Sequence, residues 1–439
     1  MFKKLLLISS VLMVVFFAGC TSEVESDEDS RYVPEKVKVL STKTEGDYTK
    51  IVFEYPSVDP KNEPVGVSAI ICMKSDFYNS DNKKADYTVL VHHGATTKWD
   101  DVPSMDGGSE LCSVLDAISE KNVIGVATDY MGLGHFKDEP QAFAYGEVNA
   151  AAALDALIGA REILKKKGFT WEDKTANIGF SQGGQTAICV QKLVDTNKKY
   201  KKIHITKTFA GDGVYDIPLI IDYSLREYNP PVLPSVILLG ISSYNYWSDL
   251  GIDESKVFLS PASIDKYINS KDYNLMEAIE GILQDSLLSG VIKPEDLGMS
   301  AITDLENIDP DLARKWSNFL TKDMLNSNSA IYKKVLKAVQ GKNNYWTPSE
   351  NSNIVLFTAD NDDVVPGANA ASLYAHLTKV SEDWVEIGEG TTDNATPFSV
   401  NNSFIHYHED EPPADLGDVV HAKASREFYR RVKAELANW

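Results

Sequence analysis

Short apolar runs alternate with segments of helical spacing along the first half of the chain. The predicted strands, most of them apolar, fall at residues 51–55, 65–73, 87–92, 123–128, 176–180 and 204–210. Apolar side chains recur three and four positions apart, as on one face of a helix, at residues 110–119, 145–164 and 186–195. Nearly continuous apolar strands separated by helices are typical of a mostly parallel sheet covered on both faces. The pattern therefore predicts an α/β fold.

The pattern changes after residue 216. Residues 217–234 are interrupted by prolines, and helical spacing then dominates at residues 275–288, 311–325 and 331–339. The strand pattern returns at residues 354–358, which read IVLFT. A helical segment inserted between two strands of one sheet predicts a cap over the strand ends. We therefore expect a core formed by residues 35–216 and 346–439, with a helical cap at 217–345.

The first residues have the features of a targeting segment. Two lysines precede an apolar stretch, residues 5–18, that is too short to cross a membrane comfortably. The stretch ends in Phe17-Ala18-Gly19-Cys20, which resembles the lipobox of a bacterial lipoprotein, with Phe17 where that pattern usually has leucine. The resemblance implies a signal peptide at 1–19 and a lipidated Cys20 that anchors the protein to the bacterial cell envelope, with the outer membrane expected. An ordinary signal peptide with an incidental cysteine is the alternative.

Acidic residues dominate the charge of the chain. Residues 21–30 read TSEVESDEDS and are too polar to bury an apolar surface, so residues 20–34 are expected to form an acidic tether. The formal net charge of the whole chain is −21. This charge argues against nucleic acid as a partner, because phosphate binding needs a basic surface.

Three cysteines remain if Cys20 carries a lipid, namely Cys72, Cys112 and Cys189. An odd number in an exported chain does not suggest a disulfide framework, and the spacing matches no metal site. Cys189 lies on the helix predicted after Ser181, so a buried structural role is expected for it.

The sequence NIGFSQGGQT, at residues 177–186, contains the G-x-S-x-G motif Gly179-Phe180-Ser181-Gln182-Gly183. An apolar strand enters the motif and a helix leaves it. The serine of such a motif lies on a strained turn, where a Cβ on either glycine would clash with neighbouring backbone. The amide of Gln182 can then donate to a developing oxyanion at the N-terminus of the helix. A glycine-rich phosphate or packing loop is the alternative interpretation.

In this context the motif resembles the nucleophile elbow of the α/β-hydrolases, in which an acid and then a histidine follow the serine along the chain. Residues 360–366, DNDDVVP, resemble the acid-bearing loop of that superfamily, commonly His-Gly-x-x-Asp-x-x-Val-Pro. Alignment on the Val-Pro pair places the acid on Asp362. Residues 358–359 are not the usual His-Gly, so Asp360 and Asp363 stay open as alternatives.

The base can be sought among eight histidines. His421 lies between a polar loop and a terminal amphipathic helix, which suits a catalytic base that follows the acid. His406 and His408 alternate in FIHYH, a predicted strand, and remain the alternatives.

The second oxyanion donor is expected in the loop after the strand at 87–92. Gly94 permits a turn that exposes the next amide, so the N–H of Ala95 is predicted to act together with that of Gln182. His93 is expected to brace this loop rather than transfer a proton.

Further motifs resemble the secretory lipase and esterase branch of the α/β-hydrolases: His-Gly at 93–94 with Val-Pro-Ser at 102–104, DYMGLG at 129–134, and GFSQGG at 179–184. The resemblance implies an α/β-hydrolase fold, with a mostly parallel sheet covered by helices and a helical cap inserted before the acid-bearing strand. It implies carboxylic ester hydrolysis, and a structural role for Asp129.

The sequence thus predicts a serine hydrolase that cleaves small-molecule carboxylic esters through an acyl-enzyme intermediate. Ser181 would be the nucleophile, His421 the base and Asp362 the residue that orients the base. No metal or organic cofactor is required. A serine peptidase acting on short peptides and a catalytically inactive binding lipoprotein are the alternatives.

Overall fold

The computed structural model describes residues 32–116, 121–226, 233–300, 309–390, 398–409 and 419–439. The predicted signal peptide, the lipidation site Cys20 and most of the predicted acidic tether lie outside the described residues. Among those that are described, no helix combines the length and the apolar character needed to span a membrane.

Twelve strands form two sheets in the described part of the chain. They are β1 (Lys38–Glu45), β2 (Tyr48–Val58), β3 (Pro64–Lys74), β4 (Lys84–Ala85), β5 (Tyr87–His92), β6 (Val123–Thr128), β7 (Thr170–Trp171), β8 (Thr175–Phe180), β9 (Lys207–Gly211), β10 (Ile354–Ala359), β11 (Val385–Gly390) and β12 (Ser403–Tyr407).

Ten of these strands make one large sheet, in the order β1-β2-β3-β6-β5-β8-β9-β10-β12-β11. In this order, each strand from β1 to β6 is antiparallel to the next. Each strand from β6 onward, through β5, β8, β9, β10 and β12 to β11, is parallel to the next. Strands β5, β6, β8, β9 and β10 are buried along their whole length, as expected for parallel strands that helices cover on both faces. The small second sheet pairs β4 with β7.

Fourteen α-helices accompany the sheet in the described residues. They are α1 (Ser75–Asn79), α2 (Pro103–Asp106), α3 (Ser109–Asp116), α4 (Gly146–Lys166), α5 (Gln182–Thr196), α6 (Ile217–Arg226), α7 (Pro234–Trp247), α8 (Pro261–Ile264), α9 (Leu275–Leu288), α10 (Pro310–Ala313), α11 (Lys322–Leu325), α12 (Ala330–Val339), α13 (Gly367–Val380) and α14 (Val420–Leu436). Short 3₁₀ turns lie at Gly134–Phe136, Glu254–Lys256, Pro294–Leu297 and Trp316–Asn318, and a π-helical turn at Asp265–Asn269 follows α8.

Helices cover both faces of the sheet. Apolar side chains of α3 and α14 pack on one face, in a cluster that contains Val91, Ile178 and Phe357. On the other face, α4 packs in a cluster with Leu90, and α5 and α13 contribute to a cluster with Leu356. Neighbouring strand residues therefore serve opposite faces, as the two-residue period of a strand requires.

The prediction of a mostly parallel α/β sheet is confirmed. The apolar runs at 87–92 and 123–128 coincide with β5 and β6, and the helical spacing at 275–288 coincides with α9. Strand β9 begins at Lys207, three residues after the predicted start at residue 204. The strand expected at FIHYH is β12.

The single helix expected at residues 311–325 is wrong. The chain there forms α10, a 3₁₀ turn and α11. Phe258 and Leu320 form an isolated β-bridge, and the amide of Thr321 donates to the carbonyl of Val257 at 2.9 Å. These long-range bonds draw the backbone out of a helix, and the Thr321 side chain then caps α11.

Prolines do not prevent helices in the segment after residue 216. Helix α6 contains Pro218, and α7 starts at Pro234. The first turn of a helix tolerates proline, because the amides there have no partner within the helix. None of the described residues in 217–226, 233–300 and 309–345 belongs to a strand, so the segment predicted to be a cap is built from helices and turns.

Candidate active site

Ser181 lies on a sharp turn between β8 and α5. Its backbone angles are φ 59° and ψ −125°, in a region that a residue with a side chain seldom adopts. The amide of Ser181 donates to the carbonyl of Gly211 at 2.9 Å, at the end of the neighbouring strand β9. This hydrogen bond and the packed strand and helix on either side hold the strained turn in place. The geometry is that of a nucleophile elbow.

The glycines of the motif are required by close backbone contacts. A Cβ added to Gly179 would lie 2.0 Å from the carbonyl oxygen of Gly183. A Cβ on Gly183 would lie 2.0 Å from the carbonyl oxygen of His92, and one on Gly184 would lie 2.4 Å from that of Gly211. Since each obstacle is backbone rather than a flexible side chain, only glycine fits.

Asp362 and His421 form a hydrogen-bonded pair. The Nδ1 atom of His421 lies 2.5 Å from Oδ2 of Asp362, whose side chain is fully buried. The other oxygen of Asp362 accepts hydrogen bonds from the amides of Val364 (2.8 Å) and Val365 (2.7 Å). These donors fix the carboxylate, and the carboxylate places the imidazole proton on Nδ1.

The second ring nitrogen of His421, Nε2, is buried and has no hydrogen-bond partner among the described residues. The ring of His421 lies 4.8 Å from that of Phe180, centroid to centroid, and Phe180 directly precedes Ser181. His421 is therefore held beside the elbow with one nitrogen available as a proton acceptor.

The alternative acids and histidines have other partners. Asp363 accepts hydrogen bonds from the amides of Val420 and His421, and so holds the start of α14. Asp360 lies 2.7 Å from Nδ1 of His406, whose Nε2 lies 3.2 Å from Glu386. His408 is exposed. The structure thus brings Asp362 and His421 together, and keeps Asp360, just after β10, and His406, on β12, as a separate pair.

The loop after β5 passes close to Ser181. A Cβ added to Gly94 would lie 4.0 Å from the Cβ of Ser181. Across the residues that the structure describes, neither the amide of Ala95 nor that of Gln182 donates a hydrogen bond to another backbone or side-chain atom. Two free amides, one on this loop and one at the N-terminus of α5, are the donors that an oxyanion hole requires.

Three hydrogen bonds brace this loop from outside. The side-chain amide of Gln141 donates to the carbonyl of Thr96 at 3.1 Å. The hydroxyl of Thr97 donates to the carbonyl of Tyr273 at 2.7 Å. The amide of Trp99 donates to the carbonyl of Lys271 at 2.8 Å. Residues 271–273 belong to the segment predicted to be the cap, so that segment supports the loop directly.

His93 lies in the same loop and is enclosed by backbone. Its Nδ1 lies 2.8 Å from the carbonyl oxygen of Gly94, and its Nε2 lies 3.2 Å from that of Asp129. The ring stacks on Tyr130 at 4.1 Å, and burial lowers the pKa of His93 below its ordinary value. A neutral imidazole donates to one of these carbonyl oxygens at a time, and the enclosed, stacked ring is suited to bracing the loop.

Asp129 ties together three segments at the ends of the strands. Its carboxyl group accepts hydrogen bonds from the hydroxyls of Ser68 and Ser104, both at 2.5 Å, and from the amide of Ser104 at 2.8 Å. Burial raises the pKa of Asp129 to about 6. This position agrees with the structural role that the resemblance implied for it.

Asp212 is a residue of this site to which the sequence reasoning assigned no role. It follows β9 directly, is almost completely buried, and accepts hydrogen bonds from the hydroxyl of Thr358 (2.8 Å) and the amide of Ala359 (3.0 Å). Carboxylate oxygens of Asp212 and Asp362 and a ring nitrogen of His421 all lie within 4.8 Å of one another. The available signal was an aspartate directly after a buried strand, at the edge where sites form in parallel sheets.

The acidic neighbours in this cluster change the pKa of Asp212. Burial, followed by repulsion from Asp362, raises the pKa of Asp212 well above its ordinary value. Two carboxylates and an imidazole also match the ligand types of a divalent cation. However, both carboxylates accept hydrogen bonds from protein amides or a hydroxyl. These bonds use oxygen lone pairs that a metal ion would need, and they fix the orientation of the two acids.

Comparisons with known proteins identify the fold. No protein-family model matches the chain, and no curated protein matches its sequence. The chain is similar in structure to the rice cell wall degrading esterase LipA from Xanthomonas oryzae, with a TM-score of 0.63 and 14% identity, over 92% of this chain and 97% of that one. It is also similar to lipase A of Candida antarctica in its closed state, with a TM-score of 0.55 and 15% identity, over 87% of this chain and 77% of that one. The predicted α/β-hydrolase fold is confirmed.

Proposed function

We propose that the protein is a serine hydrolase that cleaves carboxylic esters through an acyl-enzyme intermediate. The observation that carries the proposal is the pairing of His421 with Asp362 beside the strained turn of Ser181, with Nε2 of the imidazole unpartnered. The structural neighbours described as an esterase and a lipase support an ester as the substrate.

The first half of the reaction acylates the enzyme. The hydroxyl of Ser181 attacks the ester carbonyl while Nε2 of His421 takes its proton. Asp362 stabilises the imidazolium, and the amides of Ala95 and Gln182 donate to the oxyanion of the tetrahedral intermediate. When the intermediate collapses, His421 returns its proton to the leaving alcohol, and the acyl group stays on Ser181.

The second half releases the acid. Water loses a proton to His421 and attacks the acyl carbonyl, and the same two amides stabilise the second tetrahedral intermediate. Its collapse returns the proton to Ser181 and frees the carboxylic acid.

Covalent labelling by a fluorophosphonate probe tests the nucleophile. We expect wild-type protein to be labelled and the Ser181→Ala variant to remain unlabelled. Ser109→Ala, at an exposed serine at the start of α3, is the matched control and should label like the wild type. Folded wild-type protein that takes up no probe would favour the alternative of an inactive binding protein.

The bond that is cleaved needs a separate assay. A peptidase acting on short peptides could use the same serine, acid and histidine. We expect turnover of nitrophenyl esters of graded acyl length, and little turnover of the matching aminoacyl amides. Turnover of the amides alone would overturn the ester assignment and favour the peptidase.

Anchoring at the cell envelope is a further part of the proposal. It is supported by the resemblance of residues 17–20 to a lipobox and by the acidic stretch that follows. Incorporation of labelled palmitate into the wild type, and its loss in Cys20→Ala, is the expected result in bacterial cells. Equal labelling of the two proteins would contradict a lipid on Cys20.

A further inference from the structure

Cys72 and Cys112 meet across the contact between β3 and α3. Their sulfur atoms lie 2.9 Å apart, closer than two sulfurs in ordinary packing contact. Cys72 is fully buried in the sheet, whereas Cys112 is partly exposed on the helix. Of the three cysteines after Cys20, Cys72 and Cys112 therefore form a close pair, and Cys189 lies apart from them. Cys189 is buried, and its thiol lies 3.1 Å from Oδ1 of Asn344.

The two thiols differ in the way that disulfide exchange requires. The hydrogen bond between the two thiols lowers the pKa of Cys112, and the nearby cation of Lys50 lowers it further. The same contact with Cys112, together with burial, raises the pKa of Cys72. Cys112 is thus the accessible thiol that ionises first, and Cys72 lies behind it.

We propose that Cys72 and Cys112 form a disulfide when the folded protein meets a small-molecule disulfide such as oxidised glutathione. The thiolate of Cys112 attacks one glutathione sulfur, and the first glutathione leaves as a thiolate. Cys72 then loses its proton and attacks the sulfur of Cys112, which releases the second glutathione. The two cysteines lose two electrons and two protons in total, and oxidised glutathione becomes two molecules of glutathione.

The cross-link would close a loop of chain that matters for the site. Residues 73–111 lie between the two cysteines and include β5, His93, Gly94 and Ala95. A disulfide restricts the unfolded chain, so the oxidised protein should melt about 5 °C higher than the reduced protein.

Peptide mapping of oxidised full-length protein tests the bond. We expect a peptide pair joined through Cys72 and Cys112 after incubation with oxidised glutathione, and its loss on reduction. Cys189→Ser is the control that should keep the cross-link and the shift in melting temperature. Native wild-type protein that yields no such peptide, or that links Cys189 instead, overturns the proposal. This test is independent of any catalytic activity.

A second inference concerns Asp212 and rests on the proposed function. Asp212 and Asp362 are both buried within 4.8 Å of His421 and of each other. Burial and the repulsion between two carboxylates this close raise the pKa of Asp212 above its ordinary value. Asp362 has the direct hydrogen bond to the imidazole, and Asp212 lies beside that pair.

We propose that Asp212 is a positioning residue that takes over as the acid when the carboxylate of Asp362 is removed. In Asp362→Asn the repulsion disappears, and Asp212 can ionise close to the imidazole. In the wild type, its bonds to Thr358 and Ala359 hold the end of β10, from which the acid loop begins.

A double-mutant cycle separates this role from a purely structural one. We expect Asp362→Asn to lower kcat about 10²-fold, Asp212→Asn to lower it less than about tenfold, and the double variant to lose about 10⁴-fold. The effect of Asp212→Asn should therefore be larger in the Asp362→Asn background, with KM unchanged. A merely structural role would change kcat by the same factor in both backgrounds, and that result overturns the proposal. Labelling of wild-type Ser181 by the probe shows separately whether the proposed function itself holds.

Discussion

The carboxylate of Asp363 accepts a hydrogen bond from the backbone amide of His421 at 3.2 Å, while the adjacent Asp362 binds the imidazole of the same residue at 2.5 Å. One short loop therefore controls both the backbone and the ring of the proposed base. Asp363 also accepts from the amide of Val420 at 3.0 Å, so it satisfies two of the free donors at the start of α14.

Replacement of Asp363 by alanine should displace the base without removing it. We expect Asp363→Ala to lower kcat about tenfold, because a small misplacement of a catalytic group is costly. The free energy of unfolding should fall by about 1 kcal/mol, as for other lost helix caps. Asp253→Ala removes a comparable cap at a 3₁₀ turn and is the control, with a similar loss of stability and unchanged kcat. Ester hydrolysis and urea unfolding measure the two effects, and an unchanged kcat in Asp363→Ala would contradict the role assigned to Asp363.

The two histidine–aspartate pairs should differ sharply in importance. His421→Ala should lower kcat/KM roughly 10⁴-fold or more, since it removes the base of the proposed mechanism. His406→Ala, on β12, breaks the pair with Asp360 and should change kcat/KM by less than about tenfold. Steady-state kinetics on one nitrophenyl ester compares them. A larger loss in His406→Ala would transfer the role of base to that residue.

The elbow should not tolerate a methyl group at Gly183. Gly183→Ala places a Cβ against the carbonyl oxygen of His92, at 2.0 Å in the unrelaxed backbone. We expect a loss of about 3 kcal/mol in the free energy of unfolding, together with loss of probe labelling at Ser181. Gly240→Ala in α7, where the nearest atom of Phe143 would be 3.9 Å away, should be neutral or stabilising by about 0.5–1 kcal/mol. Equal stability of the two variants would contradict the close contact.

Bracing of the loop at 94–97 should depend on Thr97. Thr97→Val removes the hydroxyl that donates to the carbonyl of Tyr273 and nearly preserves the shape of the side chain. We expect kcat to fall about tenfold, because the free amide of Ala95 loses its fixed position. Thr196→Val, at the end of α5, removes a hydroxyl that donates to Lys192 and should leave kcat unchanged. The same kcat in both variants would show that this hydrogen bond does not support the site.

Asp129 should make stability depend on pH in a defined direction. Its pKa is about 6 in the folded protein and about 3.9 in an unfolded chain, so the folded state holds the proton more tightly. The stabilisation of the folded state by the protonated Asp129 carboxyl group is complete below about pH 4, and it is lost as the pH rises past 6. The free energy of unfolding of the wild type minus that of Asp129→Asn should therefore be larger at pH 4 than at pH 7. Urea unfolding at both pH values measures it, and a difference that grows with pH would show that the hydrogen-bond donors outweigh burial.

The local pattern of the sequence was sufficient for the sheet and for the elbow. Strand period, helical spacing and the glycines around Ser181 are short-range properties, and each reflects a backbone requirement that few other residues satisfy. Alignment on a Val-Pro pair favoured Asp362 among three aspartates within four residues, and left Asp360 and Asp363 open. The prediction of a single helix at 311–325 was wrong because backbone hydrogen bonds to a distant segment, residues 257–259, replace the helical ones there. A local sequence pattern does not indicate such long-range bonds.

The sequence by itself determined the type of fold and the turn that carries Ser181, since these follow from neighbours along the chain, and it supplied the order of the proposed acid and histidine. Only the tertiary structure decided which aspartate meets which histidine, that Asp212 joins Asp362, and that Cys72 faces Cys112. Those relationships join residues 40 to 150 positions apart, on strands and helices whose spacing is set by packing. Side-chain chemistry alone does not specify them, because three aspartates and three histidines offer the same groups until the sheet brings one pair beside the elbow.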